Sequence, residues 1–321
     1  MRAIRIHEHG GPEVLTVEDV PAPEPGPGQV RVRVRVAGVN FIDIYHRSGL
    51  YPMDRPFIPG QEGSGEVDAV GDGVDSFAGG ERVAWASITG SYAEYAIVPA
   101  SGLVRLPDSV SFELAAAVML QGMTAHYLAF STFPLGPDHR CLIHAAAGGV
   151  GLLLVQMAKR QKATVYGTVG SNEKADRIRQ AGADAAILYR EEAVDDAVLR
   201  LTDGKKLHAV YDSVGQSTFE SSLRSLRPRG MLVSFGQSSG PIPPFNLRAL
   251  AGGSLYVTRP KLGDYIARPE ELEWRSGDLF RWIAAGELDV RIDSTFALER
   301  VADAQRRIES RESSGKILLT I

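Results

Sequence analysis

Glycines at positions 148, 149 and 151 mark the junction of the apolar run Cys141 to Ala145 with the apolar stretch Val150 to Lys159. The first run reads as a buried parallel strand, and the second has the length and apolar content of a helix packed on its sheet. Glycine at 148 and 149 lets the backbone take unusual dihedrals and approach a ligand, while Gly151 lets the helix lie close to the strand. Backbone N–H groups at a helix start point at an anion. The predicted chemistry is binding of a dinucleotide pyrophosphate, with Ala147, Gly148, Gly149 and Val150 as its contacts. An ordinary glycine turn is the competing reading. The strand before, the helix after and the βα repeats that follow favour the dinucleotide.

The segment after the next strand bears on which dinucleotide. A site selective for NAD usually places Asp or Glu about 20 residues beyond the glycines, at a strand tip, to bind the ribose hydroxyls. Here Val165 to Val169 runs into Gly170-Ser171-Asn172-Glu173-Lys174, with no acid at the tip. Ser171 reads as a helix N-cap, which puts Lys174 in the first turn. A cation is unfavourable at that positive helix end and invites an anionic partner. A 2′-phosphate on the adenosine ribose would supply it, so the cofactor expected is NADPH. A solvated surface lysine beside Glu173 is the alternative, and Arg177 either assists or lies on the surface.

These residues need a scaffold. A chain of 321 residues, 44% of them hydrophobic, exceeds one typical core and suggests two domains. Val30 to Val36 alternates valine with arginine, which predicts a strand with one buried and one solvated face. Further strands are expected at 62–70, 81–86 and 92–98, and a long helix begins at Ser111-Phe112-Glu113. From Gly122 to Leu262 strand and helix alternate, with strands at 141–145, 164–169, 185–188, 208–213, 231–235 and 254–259. That pattern predicts an α/β, doubly wound parallel sheet. Helices near 270–285 and 299–310 precede a last strand at Lys316 to Thr320, whose apolar residues need a partner in the β-rich region. The first domain is therefore expected at 1–121 plus 263–321, with 122–262 inserted in it.

Composition removes several functions. A formal net charge of −4 gives no general attraction to nucleic acid or to anionic membranes. No apolar run approaches the ~20 residues that span a bilayer, and the N-terminus alternates like a strand without a signal-peptide core. The single cysteine, Cys141, allows no intrachain disulfide, which points to a reducing, cytoplasmic setting. Within its strand it reads as a small buried hydrophobe rather than a nucleophile.

Residues 138 to 159 closely resemble the signature of quinone oxidoreductases and zeta-crystallins, in the zinc-independent branch of the medium-chain dehydrogenase/reductase superfamily. The resemblance extends over essentially the whole chain. It is carried by His9-Gly10-Gly11-Pro12-Glu13-Val14-Leu15, Gly38-Val39-Asn40-Phe41-Ile42-Asp43, Arg47-Ser48-Gly49-Leu50-Tyr51-Pro52, Tyr211-Asp212-Ser213-Val214-Gly215 and Gly253-Ser254-Leu255-Tyr256-Val257-Thr258-Arg259-Pro260. It implies a Rossmann domain inserted in a GroES-like, β-rich substrate domain. It also implies zinc- and flavin-independent transfer of a hydride or single electrons from NADPH to a quinone.

On matching positions the resemblance implies Gly170, Ser171, Lys174 and Tyr189 around the 2′-phosphate, and Ser213, Phe235, Gly236, Ser238 and Arg259 along the cofactor. Asn40, Tyr45 and Gln61 are implied near the nicotinamide and substrate as catalytic candidates, with Tyr45 or water as proton donor. Each has a plainer reading: Tyr45 as packing, Asn40 as a turn cap. Zinc-dependent relatives place histidine where this chain has Gln61, and none of the histidines beyond His7/His9 shows ligand spacing, so no metal is expected. A 2-alkenal or enone reductase with the same cofactor pocket is the main alternative. A non-catalytic NADPH- or RNA-binding protein is the remoter one. The strand Gly253 to Arg259, last in its sheet, would expose an unpaired edge, and pairing with a second copy predicts a homodimer.

Overall fold

The computed structural model describes all 321 residues, in two units: Met1–Met123 with Tyr265–Ile321, and Thr124–Asp264. In the first unit the organising element is the long strand Gln29–Val39. Val30, Val32, Val34 and Val36 are buried and Arg31, Arg33 and Arg35 are not, as the alternation predicts. Each buried valine contributes on the order of 2 kcal/mol from apolar area. The arginine face pairs across the strand, Arg31 with Asp68 and Arg35 with Glu66, each at 2.6 Å.

Register shifts at Arg31/Val32 and Val34/Val36 mark irregularities in this strand's pairing with Glu62–Val70, with Asp68 the extra residue on the partner strand and Arg35 the extra residue on Gln29–Val39. Bulges bend a strand and raise its twist. Its first half pairs with Tyr95–Pro99, its last residues with Lys316–Thr320, and its other edge with Glu62–Val70. The sheet runs Ile292–Ala297, Lys316–Thr320, Gln29–Val39, Glu62–Val70, Arg82–Ala86, Val104–Arg105. The strand Lys316–Thr320 thus finds its partner in the β-rich region, with Ile317 opposite Val39. The parallel strand Ile292–Ala297 was not legible in the sequence. It lies at the sheet edge and only half-buries its residues, so no clean alternation marks it.

The second unit is an all-parallel sheet of six strands in the order Ala185–Leu188, Thr164–Val169, Arg140–Ile143, Leu207–Asp212, Leu226–Ser234, Tyr256–Thr258. Helices Gly149–Arg160, Asn172–Gln180, Val194–Leu201 and Phe219–Ser225 join the first five along the chain. The winding direction reverses between Arg140–Ile143 and Leu207–Asp212, the switch point at which ligands bind open α/β sheets. The last strand is shorter than the expected 254–259. Ser254 is left-handed at φ 49°, and the Leu255 N–H bonds back to Leu250 rather than to the sheet. Cys141 lies in a central strand, fully buried, and burial pushes its thiol up to about 12.

Candidate functional site

The glycine turn lies at the switch point. Helix Gly149–Arg160 starts from Gly148, whose φ of −77° and ψ of 175° are open to any residue. The unusual dihedrals expected at Gly148 and Gly149 sit instead at Ala145, left-handed at φ 49°. Gly148 relieves a tight approach, since a Cβ there would lie 3.2 Å from the Ala145 carbonyl oxygen and require a shift of a few tenths of an ångström. The constraint at Gly151 is harder: a Cβ would come within 2.5 Å of that oxygen and 2.6 Å of the Ala146 carbonyl oxygen. The turn therefore brings the first-turn amides, around Ala147 to Val150, against the strand tip, where the helix dipole favours an anion.

At the tip of Thr164–Val169, Ser171 caps helix Asn172–Gln180 by accepting the Lys174 N–H at 3.4 Å. Lys174 occupies the first turn, and Glu173 beside it is paired with Arg177 one turn on. Tyr189 packs over Gly170, where a Cβ would meet the phenolic oxygen at 2.8 Å. The same atom would lie 3.6 Å from the Arg190 Nε. Arg190 was not singled out from the sequence, because Tyr-Arg-Glu-Glu reads as ordinary surface. Its exposed guanidinium has no ion-pair partner, and Glu192 nearby is engaged by Arg200 at 2.8 Å. An arginine and a phenol thus stand over a strand tip without an acid, and Lys174 lies in the first turn of the helix that follows.

The turns after Leu207–Asp212 and Leu226–Ser234 are zipped together. The Phe235 N–H bonds the Asp212 carbonyl at 2.9 Å and the Ser238 N–H bonds the Ser213 carbonyl at 3.1 Å. Gly236 is required, since a Cβ would come within 2.6 Å of that Ser213 oxygen. Arg259 donates to the carbonyls of Ser234 and Gly236 at 3.0 and 3.1 Å, bracing this turn from the neighbouring strand.

Behind both sets of turns lies a buried polar chain. Asp212 accepts the N–H groups of Val214 and Gly215 on Oδ1, at 2.8 and 3.0 Å, and the hydroxyls of Thr218 and Ser222 on Oδ2, at 2.7 and 3.0 Å. Ser222 meets His144 Nε2 at 3.0 Å, and His144 Nδ1 meets the Thr168 hydroxyl at 3.1 Å. Thr168 Oγ1 also accepts the Ala145 N–H at 3.2 Å. Burial lowers the His144 pKa, against a smaller opposing pull from Asp212.

In the first unit, Asn40 precedes helix Phe41–Ser48, and its N–H is held by the Asp43 carboxylate at 2.8 Å. Its amide side chain is buried and fully engaged. Nδ2 donates to the Gly38 carbonyl and to Glu62 at 3.2 and 2.9 Å. Oδ1 accepts from Gln121 and Lys316 at 3.1 and 2.8 Å. These four bonds exhaust what an amide side chain can make. Lys316 and Glu62, both buried, form an ion pair at 2.5 Å. Tyr45 is buried on the same helix, edge-on to Tyr51 with ring centroids 5.2 Å apart. Gln61 donates one amide proton to Thr89 at 2.7 Å and has no other side-chain partner in the protein. Asp43 is wholly buried and burial raises it to about 7, although Tyr92 and the Asn40 N–H donate to its Oδ2. No three His, Cys, Asp or Glu side chains converge where they could hold a metal ion.

Comparison with known proteins agrees with this architecture. Residues 26–108 match the alcohol dehydrogenase GroES-like domain, and residues 149–275 match the family described as zinc-binding dehydrogenase. The chain is 48% identical to the quinone oxidoreductase of Pseudomonas aeruginosa, with 99% of each chain covered. It is 39% identical to the 2-haloacrylate reductase of a Burkholderia species, covering 98% of this chain and 97% of the relative. The crystal structure of Escherichia coli quinone oxidoreductase complexed with NADPH superposes with a TM-score of 0.98 at 43% identity, covering all of both chains. Sequence likeness along the whole chain and coincidence of both units' folds make one statement plain: the chain belongs to the quinone oxidoreductase family of the medium-chain dehydrogenase/reductase superfamily.

Proposed function

We propose that this chain is an NADPH-dependent, zinc- and flavin-independent reductase of quinones. The observation that supports the reading is the tip of strand Thr164–Val169, where Tyr189 and Arg190 stand over Gly170, Ser171 caps the next helix with Lys174 in its first turn, and the tip itself carries no acid. That donor set fits a 2′-phosphate, and the tip lacks the carboxylate with which an NAD-selective site binds the ribose hydroxyls. The helix start at Ala147 to Val150 would hold the pyrophosphate, with the Gly148 N–H bonded inside the turn to the Ala145 carbonyl at 2.9 Å, and the turns at Ser213 and Phe235 to Ser238 would line the cofactor beyond it. NADPH bound there would supply the reducing electrons, as a hydride or singly.

The rest of the work falls to the chain's own side chains, chiefly by positioning and electrostatics. Gln61 has a second amide proton available for the oxygen on which negative charge develops. Tyr45 is the side chain proposed to hold or deliver a proton. Asn40, with its amide fully bonded, fixes the backbone around Gly38 and acts through position.

A second reading, reduction of an activated carbon–carbon double bond, is favoured by the relative described as a 2-haloacrylate reductase. The two separate by measuring NADPH and NADH oxidation with an ortho-quinone, a para-quinone and a 2-alkenal, with Lys174→Ala in parallel. Quinone turnover with a strong NADPH preference, reduced in the variant, is expected. Equal turnover of the alkenal moves the enzyme to the second reading, and an unchanged preference removes the phosphate site.

The proposed assembly is a homodimer through the edge strand Tyr256–Thr258, beside which Tyr256 and Leu247 are exposed. Sedimentation giving only monomer at micromolar concentration would remove it. A cytoplasmic location is proposed from the single cysteine. No helix is long and apolar enough to cross a membrane.

A further inference from the structure

Counting donors orders the protons of the buried chain behind the glycine turn. The Asp212 side chain faces two N–H groups on Oδ1 and two hydroxyls on Oδ2, with the Thr218 proton shared between Oδ2 at 2.7 Å and the Gly215 carbonyl at 3.2 Å, a donor set that suits the ionised, acceptor-only form. The Ser222 hydroxyl proton is therefore committed to Asp212. His144 Nε2, 3.0 Å from that oxygen, must be the donor and carry the imidazole proton. In a neutral ring Nδ1 is then an acceptor, so the Thr168 hydroxyl donates to it. Thr168 Oγ1 is left as an acceptor for the Ala145 N–H.

One direction of donation follows from Ala145 through Thr168, His144 and Ser222 to Asp212. His144, Thr168, Ser222 and Asp212 are each at most 2% exposed, so water offers none of them a substitute partner. At the far end stands Ala145, a residue with a Cβ held left-handed at φ 49°. Such a conformation costs about 1 kcal/mol or more and persists only where its surroundings impose it. The Ala146 N–H, bonded to the Thr168 carbonyl at 3.1 Å, is a second tether to the same residue.

We propose that His144 is a positioning residue for the dinucleotide: as the neutral Nε2–H tautomer it couples Asp212 to Thr168, and thereby holds Ala145 in the conformation whose carbonyl takes the Gly148 N–H at 2.9 Å and sets the helix start that aims the amides of Gly149 and Val150. The same carboxylate fixes the amides of Val214 and Gly215, so one buried chain sets two cofactor-facing turns. The inference rests on the dinucleotide reading of those turns. It is indifferent to the 2′-phosphate, because the pyrophosphate is common to NADPH and NADH.

The test compares Thr168→Val, which keeps shape but removes the hydroxyl, with Thr168→Ser, which restores it. Ser222→Ala interrupts the chain at a second point. Dissociation constants for NADPH and NADH are measured by fluorescence titration, with kcat and the quinone KM at saturating NADPH and thermal midpoints for each variant. Thr168→Val and Ser222→Ala are expected to weaken both dinucleotides by about tenfold and equally, with kcat and quinone KM unchanged and affinity recovered in Thr168→Ser. Wild-type affinity in both Thr168→Val and Ser222→Ala would overturn the proposal. So would weakened binding that Thr168→Ser does not restore and that follows the thermal midpoint. Lys174→Ala serves as the separate control: loss of NADPH alone supports the phosphate site, and failure there leaves the equal loss in the Thr168 variant unaffected.

Discussion

Each unit buries a polar network, and the two are built on opposite terms. In the first unit an ammonium and a carboxylate, Lys316 and Glu62, meet at 2.5 Å, joined by Asn40 and Gln121, with Asp43 and Tyr92 alongside. Burial pushes the Lys316 ammonium down, against the pull of Glu62, and pushes the Tyr92 phenol well up. That network is held by mutual charge, and Asp43 Oδ1 and Gln121 Oε1 are left without partners. In the second unit a single carboxylate takes four donors and its hold passes through neutral groups, none of which lacks a partner. The difference shows what each can tolerate. An ionic cluster depends on its partners' charges, whereas a directional chain depends on the position of each proton.

The largest expected effect comes from breaking the ion pair. Lys316→Met strands Glu62 in the interior and is expected to cost on the order of 5 kcal/mol of stability, the upper end for an uncompensated buried charge. Chemical denaturation measures it, and Glu62→Gln added to the same variant should recover a large part. A loss under about 1 kcal/mol would mean the pair is not the anchor described.

Next is the acid at the edge of that network. With a folded-state pKa of about 7, above its unfolded value, Asp43 binds its proton more tightly in the folded protein. Stability of the first unit therefore rises as pH falls from 7 toward 4, by up to about 4 kcal/mol. Asp43→Asn should abolish that slope.

The second unit should slope the other way. Burial lowers His144, and burial with Arg227, Arg140 and His139 takes His208 down to about 4. The unfolded chain binds these protons more tightly, so the contribution is complete above pH 6.5 and is lost as pH falls below it. The loss is up to about 1.4 kcal/mol per pH unit for buried His144 and less for half-buried His208. Hydrogen exchange of the slowest amides in Val30–Val36 and in Cys141–Ile143, followed from pH 7 to 5, should diverge. Parallel slopes would erase the contrast.

The smallest effect calibrates the others. Arg35→Ala removes an ion pair of the same length class, 2.6 Å, but more than one-third exposed on both sides. It is expected to cost less than about 1 kcal/mol in denaturation.

The sequence displayed what is local and periodic. The strand-turn-helix around Gly148, the alternating valines of Gln29–Val39 and the Ser171 cap each show in a few consecutive residues, since backbone geometry and side-chain spacing set them together. The first-unit network did not show. Lys316 lies 276 positions from Asn40, and a lysine opening an apolar strand reads as a solvated end until the antiparallel pairing of Ile317 with Val39 places it inside. Ala145 was hidden for another reason. Nothing in Ala-Ala-Ala indicates a positive φ, which Thr168 imposes from the adjacent strand. Arg190 was obscured by neighbouring glutamates, of which Glu192 pairs with Arg200 on the following helix.

Cys141 has a further consequence for a protein proposed to handle quinones. Such acceptors are soft electrophiles that arylate thiolates, and some generate oxidants as they cycle. With the only sulfhydryl inside the sheet and burial pushing its thiol up to about 12, the nucleophilic thiolate is strongly disfavoured at neutral pH and the sulfur does not meet solvent. The chain thus presents its own proposed substrates with no cysteine to alkylate, a form of self-protection written into the core rather than into the site.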